Sequence, residues 1–350
     1  MALDMTFLKA LLAAPGTSSF ESRPAATWRE HAERAGLETQ RDAYGNVFAV
    51  AGKGRAPRLL LAGHLDEIGL ILTHVDEDGF VWFKPVGGWD AVQLVGQRVR
   101  VVGRGAESIG VIGRKPVHLM SAEDRRKQVK IEDLYIDLGA RNAEEALAVA
   151  GPGDFAVIEQ PLVTLRNDRI VSKAIDDRIG AYVALEAARR LEDGPCETIA
   201  AGTVQEEISG LGAASAAWSW EPDVAIAIDV THATDVPGAS KRKEGDHALG
   251  SGPELSVGSY VHRGVLEALR RTAEQEGIAY TVSAAPSRTG TDADDLSKVR
   301  AGVPTAVVSI PNRYMHSPNE MVDVRDVERV VQLLVAFASR LAEEHPLEQP

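Results

Sequence analysis

The sequence predicts an α/β protein: a mostly parallel β-sheet flanked by helices, interrupted by an inserted β-rich, barrel-like domain. Two textures along the 350 residues predict it. From about residue 165 onward, short apolar runs alternate with segments of helical periodicity, the pattern of parallel strands joined by helices. Between about 68 and 164 the runs are instead short, β-branched and punctuated by Gly or Asp-Gly, as in GLILTHV, GFVWFKPV, QRVRVVG and SIGVIGR. That punctuation marks antiparallel hairpins. The chain therefore divides into an α/β unit built from 1–67 and 165–350, with 68–164 as the insert.

The elements follow in order. Residues 4–14 and 23–35 have helical spacing and are separated by the turn Pro15-Gly16-Thr17-Ser18-Ser19. Strands are expected at 45–52 and 58–63, the second ending at His64. In the insert, Asp78-Gly79 is the clearest hairpin turn, and 142–149 is its one helix, with Asn142 and Glu145 spaced as a capping box. Then come a strand at 169–175, a helix over Asp177–Leu191, a strand at 198–205, a helix at 211–218 and a strand at 224–229. A helix at 261–276, strands at 278–283 and 304–310 and a closing helix at 325–343 complete the chain. The stretch 231–253 reads as a long polar loop, and long loops without structure of their own are often functional.

Composition excludes several classes. A formal charge of −13 opposes non-specific nucleic-acid binding and attachment to an anionic membrane, both of which need basic surface. The first residues, MALDMTFLKALLAAPG, read as an amphipathic helix without the basic start of a signal peptide. No apolar run approaches membrane-spanning length. The single cysteine, Cys196 in the loop-like stretch EDGPCET, cannot form an internal disulfide or a thiolate cage, and has no helper nearby for nucleophilic work. A cytoplasmic protein is expected.

Polar residues gather where apolar runs stop: His64 and Asp66 in LLLAGHLDEIG, Asp176 in IVSKAIDDRIG, Glu206 and Glu207 in IAAGTVQEEISG, Asp229 in VAIAIDVTHA and His316 in AVVSIPNRYMHSP. In open α/β sheets, ligands collect outside the carboxyl ends of strands, so these groups can converge. Each is weak alone. A histidine near an acid is ordinary surface; Asp176-Asp177 before a helix is usually a cap; Glu206-Glu207 is an acidic turn unless the strand has ended. His232 and Asp235 follow Asp229 closely and read as loop residues. Together, histidines and carboxylates in this proportion match two divalent ions with nitrogen and oxygen ligands. Zinc is the expected ion, with cobalt or manganese compatible. His64 and Asp66, two apart, suit an imidazole that binds metal while a carboxylate orients it. There is no H-E-x-x-H helix, G-x-S-x-G elbow or phosphate loop.

AGHLDEIG, KAIDDRIG, TVQEEISGLGA, AIDVTHATDVPG, TGTDADD and SIPNRYMHSPNE, in this order, together with HLMSAEDRRK…DLYIDLGA in the insert, resemble the co-catalytic metallopeptidases of the glutamyl and tetrahedral aminopeptidase family. Some members of that family are labelled endoglucanase M. The resemblance implies release of N-terminal amino acids from peptides by a two-metal-activated water. By it, Asp176 bridges the ions, His64 and Asp229 complete one site, Glu207 and His316 the other, Glu206 is the general base and Asp66 the partner of His64. It also implies a cis peptide after Asp176, a dimerisation role for the insert, homo-oligomers up to twelve-subunit shells, and Asp292 and Arg313 near the cleft. The stretch 235–250, with Lys241, Arg242 and Lys243, departs most from the family's pattern. A glycoside hydrolase and a catalytically inactive scaffold are the competing readings.

Overall fold

The computed structural model describes residues 3–103 and 107–344. The chain opens with α1 (Met5–Ala13), whose N-cap Asp4 accepts from the amides of Thr6 and Phe7 and which buries Phe7, Leu8, Leu11 and Leu12. Next come α2 (Ser22–Arg34), β1 (Glu38–Arg41), β2 (Val47–Ala51) and β3 (Arg58–His64). The insert holds β4 (Gly69–Val75), β5 (Val81–Val86), α3 (Ala91–Leu94), β6 (Arg98–Val102), β7 (Glu107–Gly113), β8 (Tyr135–Asp137), α4 (Ala143–Leu147) and β9 (Phe155–Ile158). The α/β unit then resumes with β10 (Val163–Thr164), β11 (Arg169–Ser172), α5 (Ile175–Arg190), β12 (Glu197–Thr203), α6 (Leu211–Trp220) and β13 (Val224–His232). It ends with α7 (Lys241–Glu244), β14 (Glu254–Gly258), α8 (Arg263–Gln275), β15 (Thr281–Ala285), α9 (Ala293–Leu296), β16 (Thr305–Asn312), β17 (Glu320–Asp323) and α10 (Val324–Glu344).

The main sheet has eight strands in the order β1-β2-β12-β3-β13-β16-β14-β15. Its centre, β12-β3-β13-β16, is parallel throughout, while β2 joins β12 and β14 joins β16 antiparallel. The period of two sorts the central strands onto two faces. Leu59, Leu61, Ile226 and Ile228 pack with α1, α2, α5, α8 and α10; Leu60, Ala62, Ala225 and Ala227 pack with α6 and α9. Both faces are covered, so the sheet centre is mostly apolar.

The insert closes on itself. β4-β5-β8-β7-β6-β9 form a barrel with its own core, including Leu72, Val81, Val99, Val101, Ile136 and Ala156. The Asp78-Gly79 turn is present, with Gly79 at φ +88° and Asp76 accepting from the Phe80 amide. Asn142 caps α4 by accepting from the Glu145 amide, but Glu145 answers Arg141 instead of Asn142, so the box is half formed.

Several expectations shift. β1 went unrecognised because ETQR is polar and its four residues are mostly exposed at the sheet edge. The strand expected at 278–283 runs 281–285, beyond the turn that ends α8. β11 does not enter the main sheet: it forms a separate three-stranded sheet, β10-β11-β17. The 231–253 loop carries α7 and the last residues of β13. Cys196 is not in an exposed loop; it is fully buried in the main core, and burial pushes its thiol up. No helix of the described residues is long and apolar enough to cross a membrane.

Candidate metal centre

β3 delivers His64 at the last residue of a buried run, where its ring is 2% exposed. Beyond it, the Asp66 backbone carbonyl lies 3.1 Å from His64 Nδ1 and the Asp66 carboxylate 3.4 Å. The carboxylate, expected only to orient the ring, is also the acceptor for the amides of Glu206 (3.1 Å) and Glu207 (3.2 Å) and for the Ser18 hydroxyl (2.6 Å). It thereby ties three separate segments together.

β12 ends at Thr203, and Gln205 turns the chain at φ +61°, so Glu206 and Glu207 are free of the strand's alternation. Glu21, at the start of α2, holds that turn: its Oε1 accepts from the Gln205 amide at 3.1 Å and the Ser19 amide at 2.7 Å. Asp229 is not at a strand end as the sequence suggested. β13 continues through Val230, Thr231 and His232, and Asp229 sits opposite Ser309 of β16, 6% exposed.

Asp176 and His316 are brought together by the small sheet. Asp176 and Asp177 interrupt the first turn of α5 with non-helical angles, and the peptide between them is cis. Asp177 behaves as a cap, accepting from the Gly180 amide, and it also accepts from the His64 amide. β11 pairs with β17 so that Ser172 faces Glu320. The Glu320 carboxylate accepts from the Asp176 amide at 2.8 Å and, on its other oxygen, from the His316 amide at 2.9 Å. His316 itself has φ +57° and a side chain 36% exposed.

Asp176 Oδ1 lies 3.2 Å from His64 Nε2, and Asp176 Oδ2 lies 3.3 Å from His316 Nε2. Glu207 Oε1 is likewise 3.3 Å from His316 Nε2. Zinc–ligand bonds of about 2.0–2.1 Å in a tetrahedron place neighbouring donors about 3.3 Å apart, so these spacings fit ions seated between the groups. Donor atoms of His64, Asp176 and Glu207 fall within 4.8 Å of one another, as do those of His64, Asp177 and Asp229. The second grouping brings in Asp177, a residue assigned only to helix capping by sequence.

The electrostatics are those of a cation-binding set. Burial, then the charge of Asp176, pushes Asp229 well above the carboxylate range; burial and Asp229 do the same to Asp177. Burial raises Glu206 to about 10, His64 opposing and Asp229, Asp292 and Glu207 adding to the rise. Asp176 and Glu207 hold His316 up to about 11. For His64, burial pulls downward but its bonds to Asp176 and Asp66 prevail and hold it well above the imidazole range. So many buried carboxylates within mutual repulsion are stable as anions only beside positive charge.

Sequence reasoning missed Glu320, Glu21, Ser18 and a buried ion group in which Glu67 accepts from Lys173 and Arg178. Arg178, fully buried, also donates to the carbonyls of Leu11, Gly16 and Leu65, fixing the N-terminal segment against the loop after β3. Of the residues expected near the cleft, Asp292 is buried beside the cluster, bonded by the Thr203 hydroxyl at 2.5 Å. Arg313 is paired with Asp235, while its neighbours Met315 and His316 line the cleft. His232, the last residue of β13, also lines the cleft. The barrel approaches this site at Gly87-Gly88: a Cβ on Gly88 would stand 3.0 Å from His316 Nδ1.

Residues 45–333 match the model of the M42 glutamyl aminopeptidase family. The lysyl aminopeptidase of Pyrococcus furiosus is 34% identical over 347 residues, covering 97% of this chain and 98% of that protein. The crystal structure of a TET aminopeptidase from a marine-sediment Thaumarchaeota archaeon superposes with a TM-score of 0.93 at 35% identity, covering 98% of each chain. The TET1 peptidase of Pyrococcus horikoshii, described as able to assemble into a tetrahedron or a large octahedral shell, superposes with a TM-score of 0.82 at 32% identity, covering 95% of this chain and 98% of that one. The chain belongs to the M42 glutamyl aminopeptidase family and is a peptidase.

Proposed function

We propose that this protein is a metal-dependent aminopeptidase that releases N-terminal amino acids from peptides, with His64, Asp176, Glu207, Asp229 and His316 as ligands of two divalent ions. The observation that carries this reading is Asp176, whose two oxygens face two different histidines at 3.2 and 3.3 Å. In it Asp176 bridges, His64 and Asp229 complete one site, and Glu207 and His316 the other. Zinc is the proposed ion, and cobalt or manganese suits the same nitrogen and oxygen donors. When bound, such ions polarise the scissile carbonyl and acidify water.

The chain's own residues supply the proton handling. Glu206 lies 3.7 Å from His64 Nε2 with a side chain 16% exposed, beside the donors yet reachable from the cleft. Burial alone would keep Glu206 protonated, but beside bound cations it would be held as the anion, able to take a proton from the attacking water and pass it to the leaving amine. Asp66 holds the Glu206-Glu207 turn through both amides, and its carbonyl accepts from His64 Nδ1–H, leaving Nε2 free for metal. The acidic lining attracts the ammonium group of a peptide N-terminus.

The same reading assigns 68–164 as an inserted dimerisation domain between the catalytic parts 1–67 and 165–350, within a homo-oligomer that extends to a twelve-subunit shell in the cytoplasm. The assembly of the similar TET1 peptidase supports it. A glycosidase needs carboxyl groups spaced about 5–9.5 Å across a sugar cleft, and carboxylates interleaved with histidines give that reading no support. An inactive scaffold has no reason to keep the full donor set. Glu206→Gln should lower turnover of aminoacyl anilides by about 10²–10⁴-fold while metal content stays unchanged. Near-normal turnover by that variant would sink the mechanism, and cellulose hydrolysis after exhaustive chelation would revive the glycosidase.

A further inference from the structure

We propose that the cleft beside the metal centre selects N-terminal residues without negative charge, so that this chain cleaves neutral and basic residues and rejects Glu and Asp. The inference rests on the aminopeptidase reading and adds the class of side chain.

The cleft has a volume of about 390 Å³. Apart from the metal donors and Glu206, its wall is Val230, Thr231, Thr289, Gly290, Thr291 and Met315, with the exposed His232 beside them. Among the described residues no lysine or arginine lines it. Basic residues on neighbouring segments lie outside the lining, and several are paired there. Arg313 donates Nε to Asp235 Oδ1 at 3.0 Å and Nη2 to Oδ2 at 2.5 Å. Arg288 lies 3.2 Å from Asp294 with its side chain 68% exposed. The basic run of α7 is exposed, and Lys241 pairs with Asp246 at 2.7 Å.

A glutamate side chain entering here finds no lysine or arginine to pair with and loses hydration, which is costly for a full charge. The ions would offset the carboxylates that hold them, so they leave no net negative wall, but the wall itself adds no cation to pair with a substrate carboxylate. Behind the ligand carboxylates stand Asp66, Asp177, Asp292 and Glu320, all buried. The whole chain carries −13, so acidic peptides are also repelled on approach. Neutral side chains meet no such obstacle. The hydroxyls of Thr289 and Thr291 bond each other at 2.9 Å, and that of Thr289 also bonds Asp294 at 2.8 Å, so neither requires a polar substrate group. Lysine meets no lysine or arginine on the wall to repel it, and the chain's net negative charge does not oppose its approach.

Glutaminyl and glutamyl p-nitroanilides have nearly the same shape and differ in charge, which isolates the effect. With the full-length protein supplied with zinc, cobalt or manganese, kcat/KM for the Gln substrate should exceed that for Glu by about 100-fold. Leu and Lys anilides should be cleaved at least as well as Gln. Glu within about fivefold of Gln overturns the inference while leaving an aminopeptidase in place. No turnover of any of the four substrates overturns the aminopeptidase reading, and the inference with it. His232→Lys adds a cation to this wall and should narrow the Gln-to-Glu ratio by about tenfold. An unchanged ratio would show that the substrate side chain lies elsewhere.

Discussion

At the scale of single residues, the groups that hold the donors matter as much as the donors. Glu320 uses one oxygen for the Asp176 amide and the other for the His316 amide, joining the bridging carboxylate to a histidine on another segment. Glu320→Gln keeps one acceptor and turns an NH₂ toward the second amide. Metal affinity should fall about 10–100-fold, read by chelator competition, because supporting groups of this kind act through the ligands. Affinity equal to wild type would remove Glu320 from that role. Glu21 gives a second test, this time of pH dependence. Burial, then the charge of Asp66, raises its carboxyl from 4.5 to about 7. Between those values the native state binds more protons than the unfolded chain, so Glu21's contribution to stability falls as pH rises. Both amides it serves bond Oε1, which glutamine retains. Glu21→Gln should therefore match wild type in urea at pH 4.5 and exceed it at pH 8, by on the order of 2 kcal/mol. An equal gain at both pH values would mean that packing, not ionisation, had changed.

At the scale of elements, the site depends on how closely α5 lies on β3. A Cβ built on Gly63 would come within 2.3 Å of both the Ala181 nitrogen and the Gly180 carbonyl carbon. Gly63 precedes His64, and Asp176 lies in the first turn of α5, so separating the two elements moves two donors at once. Gly63→Ala should cost at least about 2 kcal/mol in urea unfolding and depress metal binding as well. Gly151→Ala, whose Cβ would meet only Leu147 Cδ2 at 3.4 Å, is the control and should be nearly silent. A silent Gly63→Ala would contradict the close approach. The same elements show what the sequence could and could not reveal. His64 was legible because its strand is apolar to the last residue and then stops. Asp229 was misplaced because Val230 and Thr231 continue a strand that a charge seemed to end. Glu320 ends the SIPNRYMHSPNE stretch, but nothing local gave it a role. Its importance comes from β11 pairing with β17 across some 150 residues, a contact no periodicity records. The hairpins of the insert were readable from Asp-Gly turns and β-branched runs, whereas closure depends on β9 returning to β4, which again is long-range.

At the scale of the whole molecule, every proposed donor comes from the α/β unit, yet the barrel comes close to the centre at Gly87-Gly88. His64, Asp176, Glu207, Asp229 and His316 lie on β3, α5, the turn after β12, β13 and the turn after β16. The barrel's core is separate from the two cores of the main sheet. Its point of approach is Gly87-Gly88, where a Cβ on Gly87 would stand 3.2 Å from Glu207 Oε2 and one on Gly88 3.0 Å from His316 Nδ1. Ions that bind the folded state alone stabilise it by about 2.7 kcal/mol at a hundredfold excess over Kd. Chelation should therefore lower the thermal midpoint, and zinc should restore it in a dose-dependent way. Local opening free energies follow local contacts, so the loss need not spread evenly. Amide exchange after chelation should rise in the turns at 205–210 and 313–319 and in the barrel segment 86–89. β6 and β9, which pair with each other inside the barrel, should keep their protection. Uniform deprotection of the barrel would mean that its strands depend on the centre for stability. Unchanged exchange at 86–89 would mean that the glycine pair only passes near the site.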